Sequence, residues 1–309
     1  MATIPMTAAA DRTLAAAAAI LGYAIIIGFT DNFVRVIAAE AGLWQFHAVR
    51  GVTALAILGV AARPLGLRLA PRNLRAVAGR SLIHGCAMLI YFGCLAFLPV
   101  AMVAAGLFTA PIFVLLIARF AFGHPVGPYR IAAVLIGFLG VILVLGPASG
   151  ERIGAATVLP VAAGALYALG NLATREWCAE ETAETLLAGF FVALGLFGLI
   201  GMIALTLWPL PLPVPEGVAG FVLRGATMPT GRFLIWTFVQ AAGSLIGVGL
   251  MIRAYQIAAA SRVAIFEYVI LPASALWSYM LWAEVVSARA AIGMGLIFLA
   301  GLIIAVRGR

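Results

Sequence analysis

Glu267 is a carboxylate inside a long apolar run, Arg262 to Glu284, five residues ahead of Pro272. An ionisable side chain within a hydrophobic span is costly and marks a functional position by default. It could carry a proton or seat a cationic part of a ligand; a structural hydrogen bond to a neighbouring helix is the alternative. Arg50 lies a turn inside a second apolar run, after Trp44-Gln45-Phe46-His47. Its planar fork suits a carboxylate, unless the side chain snorkels to the interface. Together, Glu267 and Arg50 would suit a zwitterion of amino-acid type. Asp31 and Arg35, at i,i+4, are expected to share a helical face and neutralise each other, or to gate. His84 and Tyr91, seven residues apart, share a face. Tyr167 and Asn171 are i,i+4, as are Gln240 and Ser244, with Tyr255 further on. Each pair could line a polar cavity or act as interhelical glue. Arg253 and Arg262 are rival partners for Glu267 in a gating contact.

Other chemistries lack their residues. A P-loop needs a lysine, and all 19 basic residues are arginine. No H-E-x-x-H or G-x-S-x-G occurs, and His47, His84 and His124 are far apart in sequence. Three cysteines without a C-x-x-C pair, Cys86, Cys94 and Cys178, read as free thiols rather than a metal or disulfide framework. The expectation is no metal, no cofactor and no enzyme; a membrane-embedded enzyme or lipid-handling protein is the disfavoured alternative. Energy would come from a gradient, of substrate or of a coupled proton.

The elements that carry these residues are apolar helices. The 309-residue chain is 65% hydrophobic and 10% charged, against about 25% charged in soluble domains. It must lie in a lipid bilayer, as an all-α polytopic membrane protein. Its net charge of +8 therefore reflects arginine at span ends, not nucleic-acid binding. Ten segments are long enough to span: Leu14–Ala39, Gln45–Ala62, Leu74–Leu98, Val100–Phe122, Tyr129–Leu145, Ile153–Arg175, Thr185–Trp208, Phe233–Ile257, Val263–Ala283 and Ala288–Val306. The proline-rich link after Trp208 reads as extended, with Phe221, Val222 and Leu223 dipping into the membrane interface. If the loop holding Arg63, Arg68, Arg72 and Arg75 is cytoplasmic, only Arg152, Arg224, Arg232 and Arg289 fall outside, with Arg35 and Arg50 in the membrane. Arg80, just inside the third span, counts with the cytoplasmic set. Both termini are then cytoplasmic, in a bacterial inner membrane.

The run Ala101 to Gly123 reads as a duplicate of Arg262 to Glu284. Pro111 and Pro272 are 161 residues apart, as are Gly140 and Gly301. Glu267 then stands opposite Gly106, so one copy alone carries the charge. Five spans per half is an odd number, which makes the halves inverted repeats with a site near the midplane between them. The organisation is a tail at 1–13, a first five-helix repeat at 14–146, a link at 147–152, a second repeat at 153–306 and a terminus at 307–309. Glycine faces in spans five, eight and ten permit close packing, including contact in a homodimer; the chain is a monomer or homodimer.

These halves, their mid-span prolines and their glycine-rich closing spans resemble the EamA-type ten-helix group of the drug/metabolite transporter superfamily. Ala283-Glu284 matches an acidic residue that members often carry before the last span; Gly123-His124 departs from it. GFTDNFVRVIAAEAGLWQFHAVRG (Gly28 to Gly51) is similar to a subset of which some members move S-adenosylmethionine or riboflavin. The resemblance implies a basket-shaped bundle working by alternating access. The expected function is secondary active or facilitative transport of a small polar metabolite, with export of an amino acid or related compound as the general case. Uptake of S-adenosylmethionine or riboflavin is the alternative.

Overall fold

A computed structural model describes residues 6–94, 103, 106–145, 158–210, 220–283 and 287–307. Among them the chain is helical, without strands: α1 (Met6–Asp31), α2 (Val34–Glu40), α3 (Leu43–Ala62), α4 (Leu74–Cys94), α5 (Ala110–Phe120), α6 (Pro128–Leu145), α7 (Val158–Glu176), α8 (Ala183–Leu207), α9 (Gly231–Ile257), α10 (Ala260–Phe266), a 3-10 turn (Glu267–Val269), α11 (Ile270–Trp282) and α12 (Ala288–Arg307). Among the described residues six helical stretches are long and apolar enough to cross a membrane: Arg12–Glu40, Leu43–Ala62, Leu74–Cys94, Ala183–Leu207, Gly231–Ile257 and Ala260–Trp282. Their outward faces are apolar. On α8, Leu196, Leu199, Ile200, Ile203 and Leu207 are all exposed, a helical stripe that a water-facing surface would not carry. The expected starts of spans four and six, the link 147–152, Glu284 and part of the proline-rich link lie outside the described residues.

The first and ninth expected spans are interrupted among the described residues, each for a local reason. The first breaks after Asp31. Asn32 donates its side-chain amide to the Gly28 carbonyl at 2.7 Å, while its backbone N–H moves to Phe29 O at 3.2 Å and Phe33 N–H to Thr30 O at 3.1 Å. The side chain has taken the acceptor that the next helical turn needs, so the chain tightens to i→i−3 bonds and restarts at α2. The ninth breaks at Glu267. Pro272 has no N–H for the Tyr268 carbonyl and its ring crowds that group, and the preceding residues, Glu267–Val269, form the 3-10 turn. Pro111 occupies the first turn of α5, where the missing N–H is tolerated, and residues 108–109 ahead of it are a turn.

Packing pairs distant elements. The broadest contacts are α6 with α12, α3 with α8, α1 with α9 and α4 with α7, followed by α1 with α11, α4 with α8, α5 with α7 and α3 with α9. Small residues set the approach. A methyl group at Gly51 of α3 would lie 2.7 Å from the Gly195 Cα of α8, and one at Gly140 of α6 would lie 2.6 Å from the Gly293 carbonyl of α12. The glycines of the fifth and tenth expected spans therefore face each other within the chain.

The segment before α9 folds inward. Leu43 N–H donates to Phe221 O at 2.7 Å, Trp44 Nε1 to Val222 O at 2.8 Å, and Gln45 Nε2 to Thr227 O at 2.9 Å while its carbonyl takes Thr227 N–H at 2.8 Å. Phe221 is fully buried among Phe46, Phe92 and Phe233. This corrects the expectation that Phe221 dips into the interface; backbone bonds to the start of α3 pull it into the bundle.

At the other end Glu181, buried before α8, accepts from Arg68 Nη2 at 3.1 Å and from Asn73 N–H at 2.7 Å. These bonds tie the α3–α4 loop to the α7–α8 loop. Glu181→Ala strands both donors and should cost about 1–3 kcal/mol, seen as a lower melting temperature in detergent with no change in the cavity described next.

Candidate functional site

A buried cavity of about 80 Å³ lies in the middle of the bundle. It receives side chains from α1 (Tyr23, Ile27, Asp31), α3 (Arg50), α4 (His84, Met88, Tyr91, Phe92), α7 (Tyr167), α8 (Phe190), α9 (Val248, Met251) and the α10–α11 break (Glu267, Ile270). Leu107, Phe108, Ala110 and Pro111 line it too. The break at Glu267 and the turn ahead of Pro111 thus open onto one space. Its size admits a few waters and falls well short of the ~300 Å³ at which metabolite pockets begin.

Arg50 stands at one side, 5% exposed. Its Nη2 donates to Ser244 Oγ at 2.5 Å, whereas Nε and Nη1 have no hydrogen-bond partner among the described residues. The rings of Phe46, Phe191 and Phe92 surround the guanidinium at 5.5, 5.5 and 5.8 Å from its central carbon. The guanidinium does not reach for the interface, as snorkelling would require. An anionic group in the cavity would satisfy these unused donors.

Glu267 is equally buried, 5% exposed, and sits among the hydroxyls of Tyr167, Tyr255 and Tyr23. Tyr167 donates to Met251 Sδ at 2.9 Å and approaches Tyr23 Oη at 3.5 Å. Neither Arg253 nor Arg262 forms a salt bridge with Glu267 among the described residues. Arg262 donates to Thr13 Oγ1 at 2.8 Å, and Arg253 lines a separate vestibule of about 570 Å³ with Arg12 and Arg175. The expected ion pair is not formed: the 3-10 turn carries Glu267 to the cavity, while Arg262 turns to Thr13.

The Asp31–Arg35 pair is corrected as well. The helix tightens at 32–33, and Asp31 and Arg35 form no salt bridge with each other among the described residues. Asp31 Oδ1 instead accepts from Gln240 Nε2 at 2.7 Å, and the Arg35 guanidinium lies 3.9 Å from the centroid of the Trp282 ring. His84 and Tyr91 both line the cavity, as the shared face predicts, with His84 edge-on to Tyr167 at 5.1 Å. Asn171 does not line it; it is buried behind Tyr167, beside the Tyr255 hydroxyl.

Several residues escaped sequence reasoning. Tyr23, Met251 and Phe190 line the cavity and look like span filler; Tyr23 is detectable only as a hydroxyl in an otherwise apolar stretch. Arg80, counted above with the span-end arginines, is fully buried and donates to Thr174 Oγ1 at 2.9 Å and Leu186 O at 3.3 Å.

Apolar outer faces, closely approaching helices and a polar cavity between interrupted helices define a multi-pass membrane protein. Residues 14–146 match the EamA-like transporter family. The chain is 29% identical over 210 residues to a riboflavin transporter of Rhizobium johnstonii, covering 68% of this chain and 63% of that one, thus under two thirds of the relative's length. It is 23% identical over 230 residues to an uncharacterized transporter of Helicobacter pylori, covering 74% and 72%. A solved crystal structure superposes with a TM-score of 0.72 over 96% of this chain and 98% of that one at 19% identity, which shows the shared fold. Residues 14–146 are thus similar to the EamA-like transporter family, and the relatives that the chain resembles carry transporter names.

Proposed function

We propose that the chain is a secondary active or facilitative transporter, not an enzyme, that moves a small polar metabolite across a bacterial inner membrane by alternating access. The observation that carries this reading is the meeting of Arg50 and Glu267, two buried groups of opposite charge, in one cavity. Arg50 takes an anionic group through its free donors. Glu267 takes a cationic group or a coupling proton. A cavity of about 80 Å³ has to widen before a metabolite enters it, which is the work of rocking one half against the other.

The ten-span arrangement is part of the proposal: halves at 14–146 and 153–306, inverted, with a link at 147–152. The packing supports it. Exchanging first-half with second-half elements turns the α1–α9 contact into α7–α4, α1–α11 into α7–α5 and α3–α9 into α8–α4, and returns α3–α8 and α6–α12 to themselves. The vestibule lined by Arg12, Arg175 and Arg253 collects residues that the arginine bias assigns to the cytoplasmic side, in support of cytoplasmic tails at 1–13 and 307–309.

Export of an amino acid or related compound remains the general case. Uptake of a riboflavin-like heteroaromatic is the second reading, favoured by the lining of Tyr23, His84, Tyr91, Phe92, Phe108, Tyr167 and Phe190 and by the name of one relative. Counterflow in proteoliposomes tests both, with labelled amino acids, S-adenosylmethionine and riboflavin outside and the unlabelled compound inside. One of them should accumulate well above protein-free liposomes. Equilibration of all of them at the protein-free rate would overturn the reading.

A further inference from the structure

Asp31 and Arg50 belong to different helices and form no salt bridge with each other among the described residues, yet an unbroken run of hydrogen bonds joins them. Arg50 Nη2 donates to Ser244 Oγ at 2.5 Å, Ser244 Oγ donates to Gln240 Oε1 at 2.9 Å, and Gln240 Nε2 donates to Asp31 Oδ1 at 2.7 Å. Gln240 and Ser244 are fully buried, one turn apart on α9, between α1 and α3. The ends dictate the direction of the run. A guanidinium can only donate and an ionised carboxylate can only accept, so the amide must show its NH₂ to Asp31 and its carbonyl to Ser244.

We infer that Asp31 is a coupling-proton site whose occupancy is read by Arg50 through Gln240 and Ser244. When Asp31 takes a proton from the buffer, its new O–H becomes a donor. The Gln240 amide can then turn over, accepting from Asp31 with its carbonyl and offering its NH₂ to Ser244 Oγ. Ser244 Oγ then accepts from the amide, its own O–H loses the Gln240 carbonyl and turns toward Arg50, and the donor Nη2 is displaced toward the cavity beside the unused Nε and Nη1. In reverse, an anion on Arg50 offsets the positive charge that favours ionised Asp31, and the proton follows the anion in. Such linkage is reciprocal by necessity. The pair would cross as a neutral unit, which lowers the cost of moving charge through the bilayer.

The other groups facing Asp31 do not complete a rival circuit. Tyr23 of its own helix and Tyr91 of α4 are hydroxyls at the cavity wall; Glu267 lies among Tyr23, Tyr167 and Tyr255; Arg35 of α2 stacks on Trp282. From α11, Ser278 faces Asn32 at 2.8 Å rather than Asp31. Gln240 and Ser244 are thus positioning residues that act through Asp31 and Arg50.

The purpose of this device rests on the transporter reading, but its test requires no transport. Infrared difference spectra of the purified protein are recorded across pH, following the C=O bands of protonated carboxyls. Asp31→Asn identifies the Asp31 band and Glu267→Gln the other buried one. Ser244→Ala touches neither carboxyl, so a purely structural serine leaves the Asp31 midpoint alone. The relay predicts a displaced midpoint in Ser244→Ala and in Gln240→Leu, and a larger displacement of about one pH unit, tenfold in proton affinity, in Arg50→Gln. A second serine variant, Ser244→Thr, keeps the hydroxyl and should restore the wild-type midpoint. No Asp31 band at any pH, or one midpoint shared by wild type and Ser244→Ala, would overturn the proposal. Silent counterflow beside a displaced midpoint would sink the transporter reading and leave the relay standing.

Discussion

Replacing Arg50 with alanine is expected to slow substrate exchange about a hundredfold, the equivalent of ~3 kcal/mol for truncating one member of a buried charged contact. The protein should still fold. The guanidinium gives the scaffold a single hydrogen bond, to Ser244 Oγ, worth ~1 kcal/mol. Nε and Nη1 have no hydrogen-bond partner among the described residues, so their loss falls on the ligand. Arg50→Lys should recover part of the rate, because charge returns but the fork does not; about a tenfold deficit, carried mainly in the apparent affinity, is the expected result. Initial-rate counterflow over a range of substrate concentrations separates the two effects. Equal rates for wild type and Arg50→Ala would mean that the three phenylalanines hold a structural cation.

Gly106→Glu, which copies Glu267 into the first half, is expected to abolish folding. The repeat register makes this the most conservative conceivable duplication, yet the structure has no room for it. A Cβ at Gly106 collides with the Pro160 ring and lies 2.6 Å from its carbonyl carbon. Gly164 of the same helix closes in from one turn further, where an added Cβ would be 2.7 Å from the Gly106 carbonyl. Forcing in even one methyl group costs about 1–3 kcal/mol, and an unpaired buried carboxylate adds several more. Gly106→Ala should survive with a lowered melting temperature, whereas Gly106→Glu should give no monodisperse protein in detergent. A stable Gly106→Glu would show that the α5–α7 approach is loose. On the proposed repeat, the charge asymmetry has a packing cause: Pro160 of α7 closes the position at Gly106.

Much of this was readable from residue types alone. Apolar runs located the six described stretches long enough to cross a membrane, and the cost of a buried carboxylate singled out Glu267. Arg50, His84, Tyr91 and Tyr167 were found by the same reasoning, since polar groups in lipid must face something other than lipid. The failures share one origin. Periodicity presumes a continuous helix, and Asn32 breaks one by bonding Gly28 O, which sends Arg35 to Trp282 and Asp31 to Gln240. Likewise, a buried arginine without a carboxylate looks the same in sequence as a snorkelling one, so Arg80 was indistinguishable from Arg75. Phe221 was misjudged because its partners, Phe46, Phe92 and Phe233, come from three other elements. Long-range partners of this kind leave no mark on local spacing.

The most direct measurement is counterflow of the transported compound by Glu267→Gln beside wild type, over a range of external pH. Glutamine keeps the size and hydrogen-bonding reach among Tyr23, Tyr167 and Tyr255 but can neither ionise nor carry a proton. The cavity reading predicts a rate lowered at least tenfold, with the wild-type pH dependence flattened, in protein whose melting temperature is unchanged or higher. A Glu267→Gln protein that moves substrate at the wild-type rate with the wild-type pH profile would contradict it.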